Sequence, residues 1–162
     1  MKKILFTLCI SSLFYTAGLS QKPARSIFGE AGGPGLASLN FDTRFSKSEK
    51  GLGGRIGVGG FSVNAIPATF IPVELNFLAG KKGSHYFEAG AGITFVSLSE
   101  KIIFGQGATD NTRFKNTFEH FSIGYRFQPP KGGFLFKIAL TPLFNRNFFI
   151  PYYFGVGAGY KF

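Results

Sequence analysis

The feature that most constrains this chain is a period-two alternation that recurs along almost its whole length. At the C-terminal end Phe154, Val156, Ala158, Tyr160 and Phe162 share one parity, and Gly155, Gly157, Gly159 and Lys161 share the other. Successive side chains of a strand point to opposite faces, so each parity marks one face of a sheet. The same pattern sets Phe134, Phe136, Ile138 and Leu140 against Leu135, Lys137 and Ala139. It sets Phe121, Ile123, Tyr125 and Phe127 against His120, Ser122, Gly124 and Arg126. Further upstream Phe87 to Phe95 oppose Glu88, Gly90 and Gly92, Val73, Leu75 and Phe77 oppose Glu74 and Asn76, Ile56 and Val58 oppose Arg55, Gly57 and Gly59, and Leu39, Phe41 and Phe45 oppose Asn40, Asp42 and Arg44. Helix-period apolar patterns are absent, and glycine recurs inside the apolar stretches, where it weakens a helix.

One face is thus apolar and aromatic, and the other is glycine with isolated charges. A soluble sandwich or lipocalin turns its apolar face inward and covers the outside with Lys, Glu, Ser and Thr. Here charged residues are only 16% of the chain, against roughly 25% in soluble domains. The pattern suits the crowded interior of a narrow barrel with aromatics facing lipid. The expected fold is all-β: an eight-stranded antiparallel up-and-down transmembrane β-barrel that follows a cleaved signal peptide. The strands are expected at 24–32, 36–46, 51–63, 68–79, 84–98, 116–129, 132–143 and 151–162. Each reaches the roughly 9–11 residues that a tilted strand needs to cross a bilayer. Pro72 cannot donate to a ladder, which predicts a bulge or a strand beginning near Val73. The first hairpin is expected to turn at Gly32-Gly33-Pro34-Gly35; the alternative is one long strand from Ile27 to Phe45 with an extra strand near Ile102 to Gly107. The connections Lys47–Lys50, Gly80–Gly83 and Pro129–Gly132 are short, whereas Ser99–Lys115 and Phe144–Ile150 are longer. Barrels of this kind keep short turns on the periplasmic side, together with both termini.

The N-terminus is read apart from the fold. Lys2 and Lys3 precede an uncharged, mostly apolar run from Ile4 to Tyr15, and Gly18 and Ser20 supply small residues before Gln21. Charge, apolar core and small exit in this order predict a secretory signal peptide at 1–20 and a barrel at 21–162. Cys9 lies in the apolar core, so the barrel itself carries no cysteine and no thiol or disulfide chemistry.

By parity the interior receives Glu30, Asp42, Glu74 and Glu88 together with Arg44, Arg55, Arg126, Lys137 and Lys161. Unpaired buried charge is very costly, so near-balance of sign predicts a lumen plugged by ion pairs, with arginine forks to Glu74 and Glu88 closing the centre. Function would then lie at the rims or in residues 99–115. His120 and Ser122 share a face, which permits a histidine-activated serine; the adjacent Glu119 points the other way, so Glu74 or Glu88 would have to orient the histidine. The only histidines are His85 and His120, too few and too far apart for a metal site, and no cofactor is implied. Gly51-Leu52-Gly53-Gly54 and Gly90-Ala91-Gly92 lack the Lys-Ser/Thr pair of a phosphate loop. The basic excess does not point to nucleic acid: Lys47, Lys50, Lys81, Lys82 and Lys131 fall on short turns, and Lys101, Arg113, Lys115 and Arg146 on the outer segments, where cations meet lipid phosphates.

Gly157, Tyr160 and Phe162 have the spacing of a C-terminal assembly signal: glycine, two residues, an aromatic, one residue, terminal Phe. This resembles the end of Gram-negative outer-membrane barrels and implies recognition by the barrel-assembly machinery. The stretch 21–162 resembles small eight-stranded barrels of the OmpX, OmpW or opacity type, and more closely uncharacterised small barrels with segments like Ser38-Leu39-Asn40-Phe41, Ile71-Pro72-Val73-Glu74-Leu75-Asn76 and Gly124-Tyr125-Arg126-Phe127. That resemblance implies a fold and a location only, the cell outer membrane; the protein is further expected to be a monomer in contact with outer-membrane lipid and lipopolysaccharide, without catalytic activity. Glu119-His120-Phe121-Ser122 superficially resembles the His-x-Ser pair of barrel-type lipid A deacylases, which gives the alternative of an acyl hydrolase or a narrow solute channel. The long outer loops of OmpX-like proteins and the peptidoglycan-binding domain of OmpA-like proteins are missing from this sequence. Replacing Tyr160 and Phe162 together by Ser is expected to lower the folded, heat-modifiable fraction in envelopes while leaving export intact, as read by immunoblot of unboiled samples; unchanged folded levels would contradict the assembly role.

Overall fold

The computed structural model describes residues 23–63, 66–81, 83–98 and 116–162. The expected signal peptide at 1–20, the alternative strand at 102–107, and Lys82, Lys101, Arg113 and Lys115 lie outside the described residues. The strands are β1 Arg25–Gly32, β2 Ala37–Arg44, β3 Gly51–Val63, β4 Ile66–Ala79, β5 His85–Leu98, β6 Asn116–Phe127, β7 Gly133–Leu140, β8 Leu143–Phe144, β9 Phe149–Ile150 and β10 Phe154–Lys161. Every pairing is antiparallel between neighbours in space, and the sheet closes where β5 meets β6 and β10 meets β1.

Eight staves make the barrel. On β6 the register continues from Ile123↔Leu140 on β7 to His120↔Leu143 on β8, three residues on along both chains, so β8 is β7 resumed after Thr141-Pro142. On the other side Phe154 pairs with Leu140, but Ile150 pairs with Leu143. Three residues there, Pro151 to Tyr153, face two, a bulge that separates β9 from β10.

Two expectations about the chain path are decided here. The hairpin at Gly32–Gly35 forms, with Ala31 opposite Ala37. Pro72 produces neither a bulge nor a strand start. Strand β4 begins at Ile66, and its register with β5 runs unbroken through Pro72↔Thr94. Pairing with β3 lapses between Ile56↔Val73 and Gly59↔Phe70, yet the register is the same on both sides of the gap. The ring therefore forfeits contact on one edge only, and the unbroken ladder to β5 on the other edge carries the register across it.

The distribution of side chains is inside out relative to a water-soluble domain. Among the described residues 27 large hydrophobic side chains are exposed, and polar or charged side chains outnumber apolar ones among the buried. Water would not tolerate an apolar surface that encircles the molecule. Lipid does, and a closed barrel leaves no sheet edge unpaired within it. The fold is thus that of a membrane-spanning barrel, with apolar parity to the bilayer and polar parity to the lumen.

At the end opposite the chain termini the β1–β2 turn folds inward. Gly33, Pro34 and Gly35 form one buried 3-10 turn. It needs positive φ at Gly32 and Gly33, which glycine adopts without steric cost, and it forces Leu36 to φ 60, ψ −76. A Cβ on Gly33 would also sit 2.7 Å from the Glu30 carboxyl carbon. Gly33→Val is expected to destabilise the barrel by about 1–3 kcal/mol from backbone strain alone, measured as a lower urea midpoint of the heat-modifiable band; an unchanged midpoint would show that the turn does not seat as described.

Candidate functional site

The site is the lumen. Glu30, Asp42, Arg44, Arg55, Glu74, Glu88, Arg126, Lys137 and Lys161 are each no more than 4% exposed. The structure brings eight of them together in a connected set of ion pairs, while Lys161 pairs separately with Glu49. Asp42 is the most heavily engaged carboxylate: it accepts from Arg44 Nη2 at 2.7 and 2.8 Å, from Asn76 Nδ2 at 2.6 Å and from Arg126 Nη2 at 3.1 Å. Arg126 Nη2 also reaches Ser26 Oγ at 2.8 Å. Arg55 is bonded to Glu30, donates to Asn40 Oδ1 at 3.0 Å and stands 3.7 Å from Glu74. Lys137 lies 2.9 Å from Glu88 and 3.8 Å from Glu30.

The expected arginine forks onto Glu74 and Glu88 are placed differently. Each of those carboxylates has an arginine only at 3.7 Å and 3.6 Å, respectively, while the close partners of Arg55 and Arg126 are Glu30 and Asp42. Parity decides that these groups share the interior. It leaves open which strand heights coincide across the barrel, and that is what selects partners.

Three participants carry no charge-pattern signal. Phe28 is an aromatic on the inward parity, 1% exposed, with Arg55, Arg126 and Lys137 at 5.3, 5.8 and 5.3 Å from its ring centroid. Three cations over one ring gain from its quadrupole in a poorly hydrated interior. The shared parity of Phe28 and Glu30 was the available clue. Glu49, on the turn after β2, is a third exposed and meets Lys161 at 2.6 Å, so a fifth carboxylate pairs with the five buried basic groups from the mouth of the lumen. Lys161 also donates to the Pro129 carbonyl at 3.2 Å. Thr94 donates to the Pro34 carbonyl at 3.2 Å and ties the inward turn to the wall.

His120 and Ser122 are both sealed in the lumen at 1% exposure. Ser122 Oγ donates to Glu74 Oε1 at 3.1 Å, and His120 Nε2 stands 3.3 Å from Glu74 Oε2. The carboxylate therefore lies between them. A hydrolytic triad needs the histidine in the middle, so that the base takes the serine proton and the acid orients the base. Here the hydroxyl proton points at a carboxylate and a lipid ester has no access to the oxygen. His120 Nδ1 has Thr94 Oγ1 at 3.4 Å. The other histidine, His85, is exposed, with Nδ1 2.5 Å from the Tyr125 hydroxyl, and it packs against Phe127 at 5.4 Å in the aromatic girdle.

Tyr160 and Phe162 are exposed on the apolar parity, at 60% and 57%, and Gly157 faces inward against Lys137 and Phe28.

A closed eight-stave barrel with a lipid-facing apolar wall and a self-neutralised interior is the architecture of the small outer-membrane β-barrels. No family model matches the chain, and no curated protein matches it either. Among solved structures it is similar to the N-terminal β-barrel domain of Pseudomonas aeruginosa OprF, with TM-score 0.60 and 14% identity over 89% of this chain and 100% of that one. It is also similar to the Yersinia pestis outer membrane protein Ail in a phospholipid bilayer nanodisc, with TM-score 0.55 and 14% identity over 88% of this chain and 100% of that one. At this identity the likeness is one of fold.

Removing Asp42 would strand two buried guanidinium groups. Asp42→Ala is expected to cost about 3–5 kcal/mol, read from urea unfolding in detergent micelles, whereas Arg146→Gln at an exposed site should change stability little. Equal effects would show that the lumen pairs carry no stability.

Proposed function

We propose that this chain is a non-catalytic outer-membrane barrel that contributes to envelope structure or surface interaction and conducts no solute. The single observation that supports this reading is the filled lumen. Four buried carboxylates and five buried cations occupy an interior that in an eight-stranded barrel is only wide enough for side chains, and Glu49 pairs with Lys161 at its mouth. The buried Gly33-Pro34-Gly35 turn adds backbone at one end. The proposal includes export by the N-terminal signal at 1–20, assembly through Gly157, Tyr160 and Phe162, and a monomer that contacts outer-membrane lipid and lipopolysaccharide.

Neither alternative function has the geometry to support it. A channel needs a continuous hydrated path, and a hydrolase needs a serine that lipid can reach. Ser122→Ala is accordingly expected to leave the lipid A acylation pattern of a host unchanged. Reconstitution into planar bilayers tests the central claim. The expected outcome is a quiet membrane at neutral pH with protein shown to be folded by its heat shift. Stable single-channel steps altered by Glu74→Gln or Arg126→Gln would overturn it.

A further inference from the structure

Among the described residues, the rim where β1 begins and β10 ends carries a ring of basic side chains. Lys47 and Lys50 lie between β2 and β3, Lys81 between β4 and β5, and Lys131 between β6 and β7, and Arg25 opens β1; all five are exposed. These connections follow one another around the closed sheet, so the cations are spread over its circumference. The one carboxylate described on these turns, Glu49, is turned inward: Oε1 meets Lys161 at 2.6 Å and Oε2 accepts from Gln128 Nε2 at 3.2 Å. Among the described side chains of this rim five exposed basic groups thus stand against one carboxylate, Glu49, which is a third exposed and paired with Lys161.

The depth of this ring is fixed by the apolar wall beside it. Phe45 stands two residues before Lys47, Leu52 two after Lys50, Phe134 three after Lys131 and Ile27 two after Arg25, and all four are exposed on the lipid parity. At about 3.3 Å of rise per residue, the cationic groups lie within about one side-chain length of the hydrocarbon edge. That edge is where headgroup phosphates begin. Lys50 Nζ also reaches the Gly80 carbonyl of the neighbouring turn at 3.3 Å, which holds it along the rim.

We propose that this rim is a seat for anionic phospholipid headgroups in the leaflet on the chain-end side, selecting net-negative phosphodiesters over zwitterionic ones. A phosphocholine carries its own compensating ammonium; a phosphatidylglycerol headgroup leaves its phosphate charge to the ring. One basic side chain near an anionic surface contributes roughly a fivefold factor in affinity. The inference rests on the barrel being in a membrane, and the test separates the two.

The full-length chain is refolded into vesicles of phosphatidylcholine with phosphatidylglycerol, extracted in mild detergent and examined by native mass spectrometry for retained lipids. Wild type is expected to retain phosphatidylglycerol at least about threefold above its bulk share. The triple variant Lys50→Gln, Lys81→Gln, Lys131→Gln should fall to the bulk share with its heat shift intact, and Arg146→Gln should keep the enrichment. A bulk ratio in wild type, or enrichment that survives in the triple variant, would overturn the proposal. If the triple variant yields no heat-shifted band, wild type at about 0.5 M salt, where screening acts within a few ångströms, decides: lost enrichment supports the seat, and retained enrichment overturns it. Absence of a heat-shifted wild-type band in any vesicle would instead refute the barrel reading.

Discussion

The interior of this barrel must neutralise itself. A lumen this narrow supplies too little water to solvate ionised groups, so each charge that faces inward needs an opposite charge within reach. Every stave contributes at least one: Glu30 from β1, Asp42 and Arg44 from β2, Arg55 from β3, Glu74 from β4, Glu88 from β5, Arg126 from β6, Lys137 from β7 and Lys161 from β10. The pairs do not merely link neighbours. Asp42 and Arg126 are 84 positions apart in sequence, and Glu49 and Lys161 are 112 apart. Backbone ladders close the wall, while these pairs fix what faces what across it. A register slip by one residue on any stave would expose its charge to lipid and put an aromatic among the remaining charges.

The face assignments could be read from the sequence because a strand has a period of two residues and the two solvents differ so sharply. Leu39, Phe41, Val73 and Leu75 face lipid and Asn40, Asp42 and Glu74 face the lumen, as alternation alone requires. Partner choice could not be read this way. Arg55 meets Glu30 and Arg126 meets Asp42 because of strand stagger and the azimuth of each stave, neither of which leaves a local trace. Glu49 was hidden for another reason: turn residues have no parity. Phe28 was hidden because an aromatic reads as lipid-facing until its neighbours Ser26 and Glu30 are weighed. Pro72 misleads in the opposite direction: a residue without a donor predicts a bulge or a strand start, yet the continuous ladder to β5 keeps the strand in register.

The His120 and Ser122 pair shows how far a shared face is from a shared reaction. Two residues two apart on a strand necessarily point the same way, and any inward His-x-Ser acquires a resemblance to a nucleophile and its base. What distinguishes chemistry from packing is the order of contacts. Glu74 sits between the two side chains here, so its two oxygens serve each of them separately. Ser122 satisfies one oxygen of the buried Glu74 carboxylate, and His120 and Arg55 flank the other at 3.3 and 3.7 Å without hydrogen-bonding it. Packing explains both residues without invoking a substrate.

Self-neutralisation of the lumen has a consequence for the outside. The described residues include eleven basic and six acidic side chains; five basic and four acidic ones are buried in the interior, and Glu49 pairs with Lys161 at its mouth, which leaves six basic groups and one acidic group. The side wall takes almost none of them, because lipid excludes charge at the depth of the apolar belt. The surplus is driven to the ends of the barrel, and five of the six cations lie at the rim that holds the chain termini. The same balance that pairs the lumen charges therefore concentrates the net charge of the described residues at one rim of the barrel.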